Sequence, residues 1–373
     1  MSYTINPDRE KPWNGLPELP IEENYYRDLD ILEQLGESKA AIAKLQGRSV
    51  AIPNQAILIN TISLQEAKAS SEIENIFTTD DELYKAFSDD PANLKQGAPK
   101  EILYYRESLW KGHRYLRETG SFDIKYFELI YRTITGLNDG IRKPFAQTHI
   151  RQGGSGPNAG KTVYTPPRGE GIIESKMENF IQFMNDDTLF PIDPLLKMAI
   201  GHLQFEAIHP FRDGNGRTGR IFNINFLTQK GLLDFPILFL SKYILQNKES
   251  YYAYLAGVTQ RAAWKDWILF MLKAVENTSI DTFHKINDIL SVKDAILHVL
   301  EKETEISRPD SLVEAIFTQP FTKVKHLTDK KLYAENTARQ YLNRLHEMGI
   351  CERREINGGH YYLNLELYRI LAS

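Results

Sequence analysis

Within twelve residues, His209-Pro210-Phe211-Arg212-Asp213-Gly214-Asn215-Gly216-Arg217-Thr218-Gly219-Arg220, the chain sets an imidazole and a carboxylate, then glycines, then two arginines three residues apart. That combination is the chemistry of a phosphate site with a base beside it. Gly214 and Gly216 permit a positive-φ or tightly turned backbone in which successive amides face one anion. A helix starting near Asn215 adds the partial positive charge of its N-terminus. Arg217 and Arg220, at i and i+3, share a face and can clamp further phosphate oxygens. The spacing Gly214-x-Gly216-x-x-Gly219 also fits a dinucleotide fingerprint, but that fingerprint must follow a strand, and here the apolar helical run Leu195 to Ile208 precedes it. His202, His209 and Asp213 lack the clustered third ligand of a zinc site. A merely solvated glycine-rich turn does not account for His, Pro, Phe, Asp and the second Arg in fixed order.

The stretch resembles the complete signature of the Fic (Fido) family, H-P-F-x-[D/E]-G-N-G-R-x-x-R, with every fixed position filled. The resemblance implies a nucleotidyltransferase that moves AMP from ATP to a protein hydroxyl. Gly216 fits the AMP-transferring branch, since the related Doc-type phosphotransferases carry Lys there. On this resemblance His209 is the general base, and an imidazole titrates near working pH. Asp213 is the metal ligand, for Mg²⁺ or Mn²⁺ bridging phosphate oxygens. The amides near Gly214 and Gly216, with Asn215, cradle the α- and β-phosphates; Arg217 and Arg220 bind the distal phosphates and the leaving pyrophosphate. Phe211 is expected to pack into the core.

A second stretch gains meaning beside the first. Ser70 and Glu74 are four apart on a helix, with Asn75 as its stop. Taken alone this is an exposed i, i+4 pair. It is similar to the inhibitory helix motif of the same family, [S/T]-x-x-x-E-[G/N], placed N-terminal to the core. The resemblance implies that Glu74 pairs with Arg220, occupies the γ-phosphate position and slows the resting enzyme.

These residues need elements to position them. Residues 1 to about 22 read as an extended, proline-rich segment over the surface. Helices are expected at Glu23 to Leu45, ended by Gln46-Gly47, and from Pro53-Asn54 to the Ser70–Asn75 stretch. Asp80 to Ala98 reads as a surface loop. Further helices are expected at Pro99 to Arg117, Asp123 to Thr135, Gly171 to Asn185, the run delivering His209, and Ile221 to Lys230, ended by Gly231. Two β-prone runs, around Ile150 and around Val163-Tyr164, flank a glycine-rich tip and read as a hairpin. Gly160-Lys161-Thr162 is no Walker A loop: Ser155 stands where its first glycine belongs, and no helix follows. The resemblance makes this hairpin the flap that receives the target by main-chain pairing, with Ile150, Val163 and Tyr164 docking it. Tyr243 to Arg261 is aromatic-rich, and the resemblance places Tyr251 and Tyr252 near adenine. Ala262 to Asn277 and Ser279 to Leu290 close the core.

From Ser291 helical runs precede two β-prone runs, Ile350 to Ile356 and His360 to Leu363, a pattern that looks like a winged helix-turn-helix. Between Phe321 and Ile356 eight Lys or Arg stand against five acids, a surplus of three. DNA and a protein-docking or homodimer-forming role carry equal weight for it. The expected fold is mainly α: residues 1–98 carrying the inhibitory helix, a Fic-type core with a β-hairpin flap over 99–290, and a winged-helix-like domain over 291–373.

Composition narrows the function classes. Hydrophobic content of 42% and charged content of 25% are those of a soluble globular chain. A net charge of −4 argues against a chain-wide nucleic-acid coat. The single Cys351 suits a reducing cytoplasm. Met1 to Trp13 is charged rather than an apolar signal, and no run reaches the roughly 20 apolar residues of a membrane span. Expected partners are a target protein, the chain itself included, and DNA or protein at the C-terminal end. The alternatives to AMP transfer are hydrolytic removal of AMP, with Glu74 orienting water, and a DNA-binding regulator.

Overall fold

A computed structural model describes residues 3–50, 56–89, 97–151, 160–356 and 359–372. The expected helix start at Pro53-Asn54 and the glycine-rich hairpin tip lie outside the described residues. The chain is mainly helical, as its periodicities indicate. In order, the elements are α1 (Leu29–Val50), α2 (Ala56–Ile73), α3 (Asp80–Ser88), α4 (Ala98–Thr119), α5 (Ile124–Thr135), the antiparallel pair β1 (Ile150–Arg151) and β2 (Thr162–Tyr164), α6 (Ile172–Asn185), α7 (Pro194–Ile208) and α8 (Asn215–Gln229). There follow α9 (Leu240–Gln246), α10 (Lys248–Arg261), α11 (Trp264–Glu303), α12 (Pro309–Phe317), β3 (Phe321–Thr322), α13 (Val324–Asp329), α14 (Glu335–Glu347), β4 (Cys351–Ile356), β5 (Gly359–Asn364) and α15 (Leu365–Ala372). No helix among the described residues is long and apolar enough to cross a membrane.

The core sits around α7 and α8. Both are buried on nearly every side: α7 is largely apolar all round, whereas α8 buries Arg217, Arg220, Asn223 and Asn225 along with its apolar residues. Rings of Phe122, Phe127, Phe180, Phe205 and Phe222 meet between α5, α6, α7 and α8 at centroid separations of 5.3–6.1 Å. Helix α4 comes close to α8 at Gly112, where a Cβ would fall 2.3 Å from the Asn225 amide nitrogen and 2.8 Å from Ile130. Asp123 caps α5 by accepting from the Tyr126 amide at 2.9 Å.

Several expectations are corrected. The helix anticipated from Glu23 is only a 3₁₀ turn at Glu23–Tyr25; α1 starts at Leu29 behind Asp28 and runs past Gly47, where a side chain would meet nothing, to Val50. The stretch read as a loop from Asp80 contains α3, opened by a capping box between Thr79 and Glu82. The run Tyr243 to Arg261 is two helices broken at Asn247. The core-closing helices and the first C-terminal helix are one 40-residue helix, α11. The Asn277-Thr278-Ser279 stretch does not interrupt it, because Thr278 and Thr282 turn their hydroxyls back onto the carbonyls of Ala274 and Thr278 at 2.6 and 2.7 Å.

The N-terminal segment is more than a surface strap. Trp13, Leu16 and Leu19 are buried. Lys176 donates to the Leu16 carbonyl at 2.6 Å, and Asn179 exchanges hydrogen bonds with the Leu19 backbone at 2.8 and 2.9 Å. At the other end, α12, α13 and α14 pack with a three-stranded antiparallel sheet of order β3-β5-β4.

Candidate active site

Helix α7 delivers His209 and α8 carries the arginines, so the loop 210–214 sets the site. His209 caps α7 in the left-handed conformation, φ 51°, and Gly214 caps α8 at φ 68°. Gly214 therefore makes the positive-φ turn anticipated for it. Gly216 does not, since it lies in the first turn of α8. What Gly216 provides is room: a Cβ there would stand 2.5 Å from Glu74 Oε1 and 3.0 Å from Arg220 Nη1. The helix closes its first bond from Thr218 N to Gly214 O at 2.9 Å, which leaves the amides of Asn215, Gly216 and Arg217 at its open end.

The Asn215 side chain does not point into a phosphate cradle. Its Oδ1 accepts from Phe211 N at 2.9 Å and its Nδ2 donates to Phe211 O at 2.8 Å, so it braces the loop, and only its amide is left for an anion. Phe211 is fully buried and stacked on Tyr131 at 4.4 Å. Asp213 is exposed, and its Oδ1 accepts from Gly214 N at 2.7 Å.

Arg220 is buried, and α2 meets it. Its Nε donates to Ser70 Oγ at 2.7 Å, while Nη2 donates to Ser70 O at 3.0 Å and to Glu74 Oε1 at 2.7 Å. Glu74 lies one residue past the end of α2, in a turn that Asn75 closes at φ 62°. Burial pushes the Glu74 carboxyl up, but the charge and hydrogen bond of Arg220, with the charges of Arg217 and Lys248, outweigh it and hold the group below its usual range. Burial likewise works against the Arg220 charge, and Glu74 more than restores it, so the pair is ionised on both sides. Arg217 turns away to Glu101, 3.5 Å off.

Four further groups complete the site. Arg142 donates from Nε to the His209 carbonyl at 2.8 Å and from Nη2 to the carbonyls of Ile208 and Pro167, pinning the end of α7. Burial and the Arg142 charge push His209 down to about 4, with the Glu206 backbone, Glu74 and Asp213 opposing, so its imidazole is neutral at pH 7. Glu206, one turn earlier, is pushed up to about 8 by burial, with Arg220 opposing and Glu74 adding. A Cβ on Gly219 would come within 2.5 Å of its Oε1, which explains the third glycine of the loop. Glu206 is the sole carboxylate in the apolar run of α7, and that isolation is the signal that could have found it. Glu66, buried on α2, accepts from Tyr105 at 2.9 Å and from Ser241 N at 2.8 Å. His202 meets the Tyr251 hydroxyl at 2.8 Å behind Arg220.

The remaining expected residues divide. Tyr251 is buried against Trp267 and Phe270, whereas Tyr252 is 45% exposed beside it, so only the second presents a ring surface. In the hairpin, Tyr164 pairs with Ile150, but its hydroxyl donates to Ala207 O at 2.8 Å and its ring is buried; it anchors β2 to α7. Ile150 and Val163 are half-buried.

Residues 121–227, which hold the loop and both arginines, match the model of the Fic/DOC family; residues 32–114 match that of the Fic/DOC family N-terminal region. The chain belongs to the Fic/DOC family. Residues 293–367 match a third model, the C-terminal domain of protein adenylyltransferase SoFic-like. Among relatives, protein adenylyltransferase fic-1 of Caenorhabditis elegans is 33% identical over 92 residues, 25% of this chain and 17% of its own. Protein adenylyltransferase Fic of Aedes aegypti is 29% identical over 150 residues, 40% of this chain and 27% of its own. The matches thus span well under a third of those relatives' lengths. A crystal structure of a Fic family protein from Desulfovibrio desulfuricans G20 has a similar fold, with TM-score 0.53 and 20% identity over 88% of this chain and 95% of that one. Caenorhabditis elegans Fic-1 (residues 134–508) gives 0.52 and 17%, over 70% and 74%.

Proposed function

We propose that this Fic chain transfers AMP from ATP to a protein hydroxyl and that Glu74 holds the reaction slow at rest. The observation that carries the reading is the ionised pair of Glu74 with Arg220 at 2.7 Å, one helical turn from the open amides of α8. Arg220 is the cation that a distal phosphate needs, and an acid of the same chain already holds it. ATP must displace Glu74 before its γ-phosphate can take that place, at a cost in both charge repulsion and the lost pair.

The chemistry then follows from the loop. The α- and β-phosphates lie at the amides of Asn215, Gly216 and Arg217. Neutral His209 takes the proton of the target hydroxyl as that oxygen bonds to the α-phosphorus; the bond to the bridging oxygen of the β-phosphate breaks, and pyrophosphate leaves toward Arg217 and Arg220. No group of three or more His, Cys, Asp or Glu that could hold a metal ion is found among the described residues. One exposed carboxylate, Asp213, fits a hard cation completed by phosphates and water rather than by a protein cage. Asp213 would hold Mg²⁺ or Mn²⁺, which neutralises developing phosphate charge when bound. The half-buried flap residues Ile150 and Val163 offer the edge on which a target segment pairs, and this chain itself is one such target.

Label transfer from ATP labelled at the α-phosphate, with Mg²⁺, tests the reading. Glu74→Gly should raise transfer about tenfold or more, equivalent to about 1.4 kcal/mol per decade, and adding His209→Ala should abolish it. Equal rates in the parent and Glu74→Gly contradict inhibition by Glu74. Absence of label in both, with AMP released from an AMP-modified protein, replaces transfer by the hydrolytic reaction.

A further inference from the structure

The C-terminal unit holds a cavity of about 310 Å³ between α13, α14 and the β4–β5 pair, far in sequence from the loop of α7 and α8. Lys323, Lys325, Arg339, Arg353, His360 and Tyr362 line it; Asp89, outside the lining, is ion-paired with Lys323, and no carboxylate lines the cavity itself. Arg353 Nη2 lies 3.4 Å from both ring nitrogens of His360, so the two side chains stand together on the cavity wall. Arg339 is paired with exposed Glu335 at 2.8 Å, an i, i+4 pair of small worth.

Beside the cavity, the outer face of α14 carries Asn336, Arg339, Gln340 and Asn343, at i, i+3, i+4 and i+7. Asn336, Arg339 and Gln340 are exposed, Asn343 is half-buried with its Oδ1 accepting from the Tyr362 hydroxyl at 2.6 Å, and the apolar side, Ala338, Leu342 and Leu345, is turned into the unit. Asn, Gln and Arg are the side chains whose paired donors and acceptors fit base edges, while the lysines and arginines of the cavity fit phosphates. A protein partner would call for exposed apolar or aromatic anchors, and of the lining residues only Val324 is aliphatic and only Tyr362 is a phenol ring, itself buried.

We propose that this unit binds duplex DNA, with α14 in the major groove and the cavity cations on the adjacent phosphates. The proposal stands apart from AMP transfer and is tested without nucleotide. The full chain is titrated into a fluorescent duplex of mixed sequence, with anisotropy read across a salt series. Binding in the micromolar range at low salt, with a log–log salt slope of about −4 for roughly four or five phosphates, is expected. Arg339→Glu with Arg353→Glu should weaken it at least tenfold, and Arg339→Gln with Arg353→Gln, which removes the two charges without reversing them, should weaken it less. Arg27→Glu, on the far N-terminal segment, should leave it unchanged. No shift at low salt overturns the proposal, as does an equal loss with Arg27→Glu. Binding of a polyglutamate peptide more tightly than the duplex overturns it in favour of an acidic protein partner, and capture of inorganic phosphate alone overturns the DNA assignment.

Discussion

His209 illustrates how a residue of ordinary type acquires a function from its surroundings. Its imidazole is kept neutral by burial and by Arg142, whose guanidinium also fixes the backbone that presents it. A group pushed from 6.5 down to about 4 is competent as a base at every pH above that value. Removing Glu74 removes one of the charges that oppose the shift, so the value in Glu74→Gly should be lower still. The acid limb of kcat/KM for that variant, at limiting ATP, should therefore fall below about pH 5 rather than near 6.5. A limb centred at 6.5 or above would show that His209 is not held neutral as described. The twelve-residue motif was legible because all its members are contiguous. Arg142 and Glu206 were not: one reaches the loop across 67 residues, and the other sits in an apolar run where periodicity registers only the core.

Among the elements, α2 and α8 matter most, because their crossing places Ser70 and Glu74 against Arg220. Two side chains 146 residues apart in sequence leave no pattern that periodicity could show; only the family resemblance pointed to them. By contrast, the capping box that opens α3 is written in Thr79 and Glu82, although the polar, turn-prone residues around it look like a loop. The length of α11 was hidden by serines and threonines that look like stops and are satisfied inside the helix. The close approach of α4 to α8 depends on Gly112 having no side chain. Gly112→Ala, with its added carbon 2.3 Å from Asn225 and 2.8 Å from Ile130, should destabilise the chain by about 1–3 kcal/mol. A denaturant midpoint equal to or above that of the parent would contradict the packing.

Across the whole molecule, the segment just after Glu74 is fastened to the C-terminal sheet. Asp89 accepts from Lys323 and, at 2.6 Å, from the Tyr361 hydroxyl; Arg354 reaches Asp81 at 2.9 Å; Ser88 donates to the Phe321 carbonyl at 2.9 Å. Helix α3 therefore stands in the chain between the turn carrying Glu74 and the residues bound to the C-terminal unit. Asp89→Asn, which keeps shape but weakens the hold on Lys323, should raise label transfer a few-fold in the parent and add nothing in Glu74→Gly, the signature of two residues on one device. Equal gains in both backgrounds would dissociate α3 from inhibition. The most direct test of the central claim compares two labels in Glu74→Gly: ATP carrying it at the α-phosphate and ATP carrying it at the γ-phosphate. AMP transfer requires protein-bound label from the first and none from the second; label from the second alone would make the chain a phosphotransferase and contradict the account.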